Sequence, residues 1–189
     1  MEKCPSDLEL FAKFVEPALM DNLRNVTESN YERLPYTDAV KLLEPENARF
    51  DVKVSWGVDL ASEHERFLVE NYFKKPVILY NKPREAGSFY MKLNEDGRTV
   101  RGMDVLMPRI GELVGGSERE NRLDVLERKM ADFNMDPQAY WWYLDLRRYG
   151  SVPHSGFGMG FERMMMLITG ISNIRDVTAF PRVPGYAEF

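Results

Sequence analysis

Three glycines alternate with bulky residues in the run HSGFGMGFER, which spans residues 154–163. Side chains on a β-strand alternate between two faces, so Gly156, Gly158 and Gly160 would share one face that carries no side chains. The bulky residues between and after them would fill the opposite face; they are Phe157, Met159 and Phe161. A bare strand face can accept a flat ligand at close range. On the pattern alone, a glycine strand packed closely beneath a helix stays an alternative.

The glycine run leads directly into a predicted helix over residues 161–169, which Gly170 would end. Glu162 and Arg163 would then lie at the junction between strand and helix, beside the bare face. An arginine at that point can reach a phosphate. The glycine spacing differs from the phosphate loop and from the dinucleotide-binding fingerprint, because both need their glycines at the turn from strand to helix.

The composition narrows the kinds of chemistry open to this chain. Its 189 residues, 44% hydrophobic and 29% charged, are typical of one soluble domain with an ordinary core. A formal net charge of −5 argues against a general nucleic-acid binder. One cysteine and two histidines exclude a thiolate or imidazole cage, so any metal must be held by oxygen. With no apolar run of membrane-spanning length and no secretory core, we expect a cytoplasmic protein.

Hydrophobic periodicity and turn residues predict an α+β fold. Besides the helix after the glycine run, helices are predicted at residues 7–24 with a break at Pro17, 36–44, 59–73, 122–133 and 137–149. Besides the glycine run, strands are predicted at residues 77–81, 88–93, 99–107 and 112–116. These elements favour an antiparallel β-sheet flanked by helices over a doubly wound parallel sheet.

Two acidic residues, Asp104 and Glu112, lie among apolar residues on either side of Pro108. Each is four residues from that proline, so a hairpin turning there would place them opposite one another. Facing carboxylates in an apolar setting repel unless a cation or a shared proton intervenes. Such oxygens favour Mg²⁺, completed by the oxygens of a bound phosphate. On spacing alone, Asp104 paired with a structural arginine and Glu112 pointing to solvent stay an alternative.

Arg119 follows Glu112 by seven residues, an odd number that would place the two on opposite faces of a regular strand. We expect Gly115 and Gly116 to allow a bulge, or to end the strand, so that Arg119 returns to the same cavity. A guanidinium there suits a small carboxylate or carboxamide substrate. The alternative is that residues 117–120 begin a charged helix.

The histidines and the aromatic helix carry weaker predictions. His64 lies in the charged segment SEHER, where a solvated helix face is expected. His154 follows a proline and precedes the glycine run, a position consistent with lining a pocket. The aromatic residues Trp141, Trp142 and Tyr143 are expected to be core or interface residues.

Taken together, these motifs resemble the C-terminal end of the asparaginyl-tRNA synthetases, a family of class II aminoacyl-tRNA synthetases. The glycine run ending in Glu162 and Arg163, the acidic hairpin and the tail of residues 173–189 carry the resemblance. It covers essentially the whole chain and includes the segments SWGVDL, SEHER, FYM and YWWY, which are similar to the bacterial type. The resemblance implies an antiparallel-sheet catalytic domain that activates an amino acid with ATP and transfers it to tRNA.

The resemblance implies an ATP site on the glycine run. Residues 156–163 match the third class II signature motif, in which Arg163 contacts the γ-phosphate of ATP. The three glycines, Gly156, Gly158 and Gly160, correspond to the floor of the adenine site. Asp104 and Glu112 match acids that hold catalytic Mg²⁺ against the ATP phosphates.

The resemblance also implies an amino-acid site. Arg119 matches the arginine that binds the amino-acid side chain, and His154 matches a histidine beside that site. The segment MPRIGE at residues 107–112 and the YWWY helix favour the asparaginyl over the aspartyl relatives. The resemblance therefore implies asparagine and tRNA(Asn) as substrates and a homodimer as the assembly.

The first and second class II motifs and the anticodon-binding domain are not found in residues 1–189. We therefore interpret these residues as the C-terminal portion of a class II catalytic domain. Loss of the second-motif arginine, which grips the α-phosphate, would slow the chemistry by orders of magnitude, so we expect weak ATP binding without aminoacylation. The alternatives are a stand-alone paralogue with a nucleotide-binding or regulatory role, and a relative that amidates aspartate through an adenylate.

Overall fold

The computed structural model describes residues 1–187, so Glu188 and Phe189 of the tail motif lie outside the described residues. The strands form one sheet in chain order: β1 (Glu32–Pro35), β2 (Val77–Tyr80), β3 (Gly102–Met107), β4 (Gly111–Glu118) and β5 (Ser155–Met159). Strands β2 to β5 are antiparallel, whereas β1 runs parallel to β2. The α+β class and the largely antiparallel sheet are confirmed. Strand β1 was not predicted, because its four residues bury only Leu34.

The α-helices in the described part of the chain are α1 (Pro5–Phe14), α2 (Leu19–Glu28), α3 (Tyr36–Leu43), α4 (Ser62–Arg66), α5 (Leu123–Asp132), α6 (Trp141–Arg148) and α7 (Phe161–Thr169). A π-helical turn over Phe67–Tyr72 continues α4. Pro17 separates α1 from α2, and Gly170 ends α7 in the left-handed conformation at φ 77°, both as predicted. Within residues 1–187, no helix combines the length and apolar character needed to cross a membrane.

The sheet has a separate hydrophobic cluster on each face. One cluster joins α3, the π-helical turn and one face of β1 to β3, with Leu79 and Leu106 at its centre. The other face carries Val105 and Val114, which pack with Leu167 of α7. Because α3 and the π-helical turn cover only β1 to β3 on the first face, the same face of β4 and β5 stays accessible.

A third cluster joins the outer helices α5 and α6. Leu126 and Leu144 are its centre, and Tyr143 packs against it, as expected for a core aromatic residue. The neighbouring Trp141 and Trp142 are 62% and 53% exposed, so these two are not core residues of the described structure.

The predicted strand over residues 88–93 is wrong. The segment makes only isolated bridges, in which Met91 pairs with Arg119 and Leu93 pairs with Val100. Lys92 takes part in hydrogen bonds on both sides, because its N–H donates to Glu118 O at 3.0 Å while its carbonyl accepts from Arg101 at 2.8 Å. Partners alternate along this segment, so no continuous ladder forms. The predicted strand 99–107 is correspondingly shortened to Gly102–Met107.

Candidate functional site

A β-bulge in β4 decides which side chains share the accessible face of the sheet. Val105 pairs with Val114, but the next residue of β3, Leu106, pairs with Glu112, so Leu113 is an extra residue. Leu113 packs in the cluster on the α7 face. Because side chains alternate along a strand, the extra residue moves Glu112 to the opposite face, which Asp104 shares.

Asp104 and Glu112 meet over Gly115 and do not face each other across the ladder. Asp104 pairs with Gly115, so the predicted direct pairing of the two acids is wrong. The carboxylates nevertheless converge: a Cβ atom at Gly115 would lie 2.5 Å from Glu112 Oε1 and 3.5 Å from Asp104 Oδ1. Because Gly115 has no side chain, the space that both carboxylates face stays open.

Arg119 lies four residues after Gly115 and so shares this face with Glu112, and the bulge that brings the two together lies at Leu113 and not at Gly115 or Gly116 as expected. Arg119 Nη1 donates to Ser117 Oγ at 2.8 Å, and its guanidinium lies 4.6 Å from the centre of the Tyr90 ring. The proposed alternative, a charged helix beginning at residues 117–120, is wrong, because β4 continues to Glu118.

The glycine strand forms the floor of the site. A Cβ atom at Gly156 would lie 3.0 Å from Arg119 Nη2, so the guanidinium rests directly on this glycine. Gly158 faces open space, with nothing within 4 Å of a Cβ position. Gly160 lies beneath the aliphatic part of Arg163, at 3.4 Å. Gly156 and Gly158 share one face of β5, as the alternation predicts, whereas Gly160 lies beyond the strand, directly before α7.

The bulky residues of the glycine run are exposed. Phe157 is 72% exposed and Met159 is also exposed; Phe161, which is the first residue of α7 and not part of the strand, is 67% exposed. Strand β5 pairs only with β4 within residues 1–187, so it forms the edge of the sheet and its other face has no described cover.

A lysine that the sequence reasoning missed is the partner of Asp104. Lys82 Nζ lies 2.7 Å from Asp104 Oδ2 and 3.6 Å from Asp59 Oδ1. Burial alone lowers the pKa of Lys82, but the charge and hydrogen bond of Asp104, together with Asp59 and Glu112, raise it above its ordinary value. The alternative of a structural arginine beside Asp104 is therefore replaced by a lysine. Its position directly after the predicted strand at residues 77–81, just before Pro83, was the available signal.

The carboxylates of Asp104 and Glu112 form an acidic wall of the site. Glu65 of α4 lies behind this wall, and the sequence did not predict its role. Its Oε2 accepts the backbone N–H of Glu112 at 3.0 Å. Burial raises the pKa of Glu65; the Glu112 hydrogen bond opposes this effect, and the charges of Glu112 and Asp104 add to it. Gly111, at φ 76°, allows the close approach, because a Cβ there would lie 2.6 Å from Glu65 Oε2.

The prediction that His64 lies on a solvated face is wrong. Its ring is fully buried; Nδ1 accepts the Ala61 N–H at 2.9 Å, and Nε2 lies 2.8 Å from Val52 O. The ring also meets Phe50 edge to face at 4.8 Å. Of the charged neighbours in SEHER, only Arg66 is exposed, and the histidine joins the loop at residues 50–52 to α4, which is a structural role.

His154 is close to the site in sequence but not among the residues that line it. Its backbone oxygen accepts the N–H of Arg119 at 2.8 Å, which fixes the end of β4. Its exposed ring lies with Nε2 3.3 Å from Arg147 Nη2 and Nδ1 2.8 Å from Val152 O. The side chain therefore faces Arg147 and not the cleft.

These side chains enclose an open cleft of about 390 Å³ on the accessible face. It is lined by Lys82, Ala86, Ser88, Tyr90, Met91, Asp104, Glu112, Gly115, Gly116, Arg119 and Gly158. Arg163 stands beside it: Nη1 donates to the Glu112 backbone oxygen and lies 3.8 Å from Glu112 Oε2. The cleft thus joins a bare strand, two carboxylates and two cations.

The donor set suits a cation that brings its own anionic ligand. Asp104 Oδ1 and Glu112 Oε1 face one small space above Gly115, and oxygen donors are those that Mg²⁺ prefers. No group of three or more His, Cys, Asp or Glu side chains is placed to hold a metal anywhere in residues 1–187. Two carboxylates would therefore leave most coordination positions to water or to phosphate oxygens.

Comparison with known proteins gives a family match over almost the whole chain. The profile of the family described as tRNA synthetases class II (D, K and N) matches residues 6–184. The chain is 57% identical over its full length to the asparagine–tRNA ligase of Nitratidesulfovibrio vulgaris (strain DP4) and covers 41% of that protein. It is 56% identical to the asparagine–tRNA ligase of Nostoc sp. (strain PCC 7120), again covering all of this chain and 41% of the relative.

Solved structures give the same relationship. The asparaginyl-tRNA synthetase of Pyrococcus horikoshii, complexed with asparaginyl-adenylate, superposes with a TM-score of 0.80 at 37% identity. The match covers 95% of this chain and 42% of that structure. The chain thus spans about two fifths of the length of the curated relatives, which is 41% for both ligases above.

Proposed function

This chain belongs to the tRNA synthetases class II (D, K and N), and on that premise we propose that its cleft binds ATP and asparagine in an asparagine–tRNA ligase. The convergence of Asp104, Glu112 and Arg119 above a glycine floor carries the proposal. In the proposed reaction the asparagine carboxylate attacks the α-phosphate of ATP, which releases pyrophosphate and forms asparaginyl-adenylate. The terminal ribose hydroxyl of tRNA(Asn) then attacks the acyl carbon and releases AMP.

Strand β5 and the start of α7 supply the nucleotide half of this site. The open face of Gly158 supports a role as floor for the adenine ring, with Gly156 and Gly160 on the same side of the strand. The aliphatic part of Arg163 lies close to this floor, and we assign its guanidinium to binding of the γ-phosphate. A guanidinium offers several fixed donors for a phosphate. Positioning and charge stabilisation of this kind are the main protein contributions to displacement at phosphorus.

Asp104 and Glu112 are the residues that would hold Mg²⁺ in this proposal. When bound with ATP, the ion neutralises phosphate charge and fixes the geometry of the phosphate chain. Glu112 is positioned from three directions: its N–H is held by Glu65, its carbonyl accepts from Arg163, and its carboxylate faces Gly115. This support is what a precisely placed ligand requires.

Arg119 is assigned the asparagine side chain. Its guanidinium is already oriented by Ser117 and Tyr90, so little rotamer freedom is lost when it donates to a carboxamide oxygen. His154 retains a role beside the amino-acid site, with its backbone holding Arg119 in place. An imidazole contact with asparagine would need the ring to leave its position next to Arg147.

The same proposal covers the larger protein. We propose that residues 1–189 are the C-terminal portion of a class II catalytic domain; the chain spans 41% of the length of the ligase relative. Transfer to tRNA(Asn), a homodimeric assembly and a cytoplasmic location belong to this proposal. ATP binding by the chain alone is expected to be weak, and aminoacylation by it is not expected.

Asparagine-dependent exchange of pyrophosphate into ATP tests the proposal. It is measured on this chain alone and again with the remaining part of the Nitratidesulfovibrio relative added. We expect exchange only in the second case, and Arg163→Met and Glu112→Gln should each reduce it at least tenfold. Arg148→Met on the exposed side of α6 should leave it unchanged. Exchange insensitive to Arg163 and Glu112 would contradict the site, and appreciable exchange by the chain alone would contradict the incomplete domain.

A further inference from the structure

Lys82 is the least explained side chain of the cleft. It stands on the segment after β2, and its side chain is only 15% exposed between Asp104 and Asp59. None of the roles assigned to the cleft so far needs an ammonium group at this position. Fixing a partly buried lysine with a long flexible stem costs side-chain entropy, so its placement calls for a reason.

The charges around Lys82 supply that reason. Asp104 and Glu112 line the cleft, Glu65 stands directly behind Glu112, and Asp59 lies on the far side of the ammonium group. The other cation that lines the cleft, Arg119, is engaged with Ser117 and Tyr90. Lys82 is therefore the cation in direct contact with Asp104.

We propose that Lys82 is an internal counter-ion that shares Asp104 with a divalent cation and so keeps the affinity of the cleft for that cation low. This inference rests on the proposed cation role of Asp104 and Glu112. The ammonium occupies Oδ2 of Asp104, whereas Oδ1 faces the space above Gly115. A divalent ion at that space and Lys82 would lie on the same carboxylate and repel each other.

The consequence concerns the order in which ligands bind. While Lys82 neutralises Asp104, part of the negative charge of the carboxylates is compensated without metal. The binding of a free divalent ion is therefore less favourable. An ion that arrives already bound to a nucleotide also brings phosphate charge, which Lys82 and Arg163 attract. The arrangement therefore favours uptake of the metal as its nucleotide complex over uptake of the free ion.

A matched pair of variants tests this inference. Lys82→Met removes the ammonium and keeps the length of the side chain. Lys92→Met removes a comparable ammonium from the opposite face of the sheet, where Nζ lies 2.6 Å from Glu118 Oε1 and the side chain is 19% exposed. Binding of free Mn²⁺ to the full chain and to both variants is measured by calorimetry and by the electron paramagnetic resonance signal of the unbound ion.

We expect Lys82→Met to bind Mn²⁺ roughly tenfold to a hundredfold more tightly than the unchanged chain, the scale of one lost unit charge at a few ångströms in a partly solvated site. Lys92→Met and Lys82→Arg should bind as the unchanged chain does. Because metal-free Lys82→Met leaves the acids uncompensated, its Tm should be lower and should rise more on adding Mn²⁺. Adding Asp104→Asn to Lys82→Met should recover the metal-free Tm.

Each remaining outcome is decisive. If the unchanged chain binds Mn²⁺ and Lys82→Met binds it no more tightly, the counter-ion role is overturned while the cation site stands. If no variant binds Mn²⁺, the cation part of the proposed function is overturned, and this inference with it. Equal tightening in Lys92→Met would assign the effect to net charge and would also overturn the role of Lys82.

Discussion

Arg163 contacts Glu112 at two points, because its Nη1 donates to the Glu112 backbone oxygen and also lies 3.8 Å from Glu112 Oε2. The first turn of α7 is thereby tied to the bulged part of β4. The residue assigned to the γ-phosphate and the residue assigned to the cation are therefore fixed by one contact between two elements. A movement of α7 would displace both groups together.

Gly158→Ala is expected to weaken nucleotide binding without weakening the fold. A Cβ at Gly158 meets no atom within 4 Å, so the free energy of unfolding should change by less than about 0.5 kcal/mol. The added methyl group would stand in the proposed adenine position and should lower ATP affinity severalfold. Met159→Ala changes the adjacent residue on the opposite face and is the control. Fluorescent ATP analogue titration and urea unfolding measure the two effects, and unaltered affinity in Gly158→Ala would refute the floor assignment.

Glu65 and Glu63 are expected to affect the pH dependence of stability in opposite directions. Burial raises the folded pKa of Glu65, so the folded chain binds more protons than the unfolded chain between the ordinary glutamate pKa and the raised one. The free energy of unfolding contributed by this group therefore falls as pH rises through that window. Glu65→Gln should remove that fall, which urea unfolding from the ordinary glutamate pKa upward would detect.

Glu63 is the neighbouring control for this titration. The N–H groups of Val52 and then Asp51 lower its pKa, so its contribution to stability is present above the ordinary glutamate pKa and is lost as pH falls through the folded one. Glu63→Gln should reduce the loss of stability in acid. The same direction of change in both variants would contradict the two environments.

Arg147→Met is expected to destabilise the chain by about 2 kcal/mol, because hydrogen bonds of a charged group are lost in a buried setting. Arg147 is 7% exposed; Nε donates to Glu120 O at 3.1 Å and Nη2 to the Tyr143 hydroxyl at 2.9 Å. Arg148→Met, at the next and more exposed position, should cost less than about 0.5 kcal/mol. Thermal and urea unfolding compare the two, and equal losses would count against the buried network.

Gly170→Ala is expected to destabilise more than Gly97→Ala. Both glycines have left-handed backbones, with φ of 77° and 66°, so each alanine costs about 1 to 2 kcal/mol of strain. At Gly170 the new Cβ would also lie 2.5 Å from Glu16 Cβ, whereas at Gly97 it meets nothing within 4 Å. The difference between the two Tm decreases therefore measures the packing of the end of α7 against the loop after α1.

Local pattern was sufficient for the elements that carry the glycines. The alternation in residues 154–163 predicted β5, and the helical spacing with Gly170 predicted α7 with the bounds that the structure has. The acidic hairpin was also predictable, since Pro108 and the flanking apolar residues are adjacent in sequence. Such features depend on neighbours along the chain, which a single sequence displays.

The composition of the cleft depended on contacts that are distant in sequence. Leu113 is the extra residue because it fits the cluster with Met107 and Leu167, a fact of packing that no local pattern contains. Lys82 and Glu65 reach the acidic residues from separate segments. His64 was misassigned because its charged neighbours suggest a solvated face, although its own ring is enclosed.

The bulge at Leu113 decides which side chains of β4 face the cleft. Glu112 and Arg119 are seven residues apart and share a face only because one residue between them is not counted by the ladder. Deleting Leu113 itself would leave a regular ladder in which Glu112 and Arg119 still share a face, whereas deleting one residue between them with the bulge kept would place them on opposite faces. A difference of one residue in this segment should therefore occur among relatives only together with loss of the bulge, even where the residue types vary.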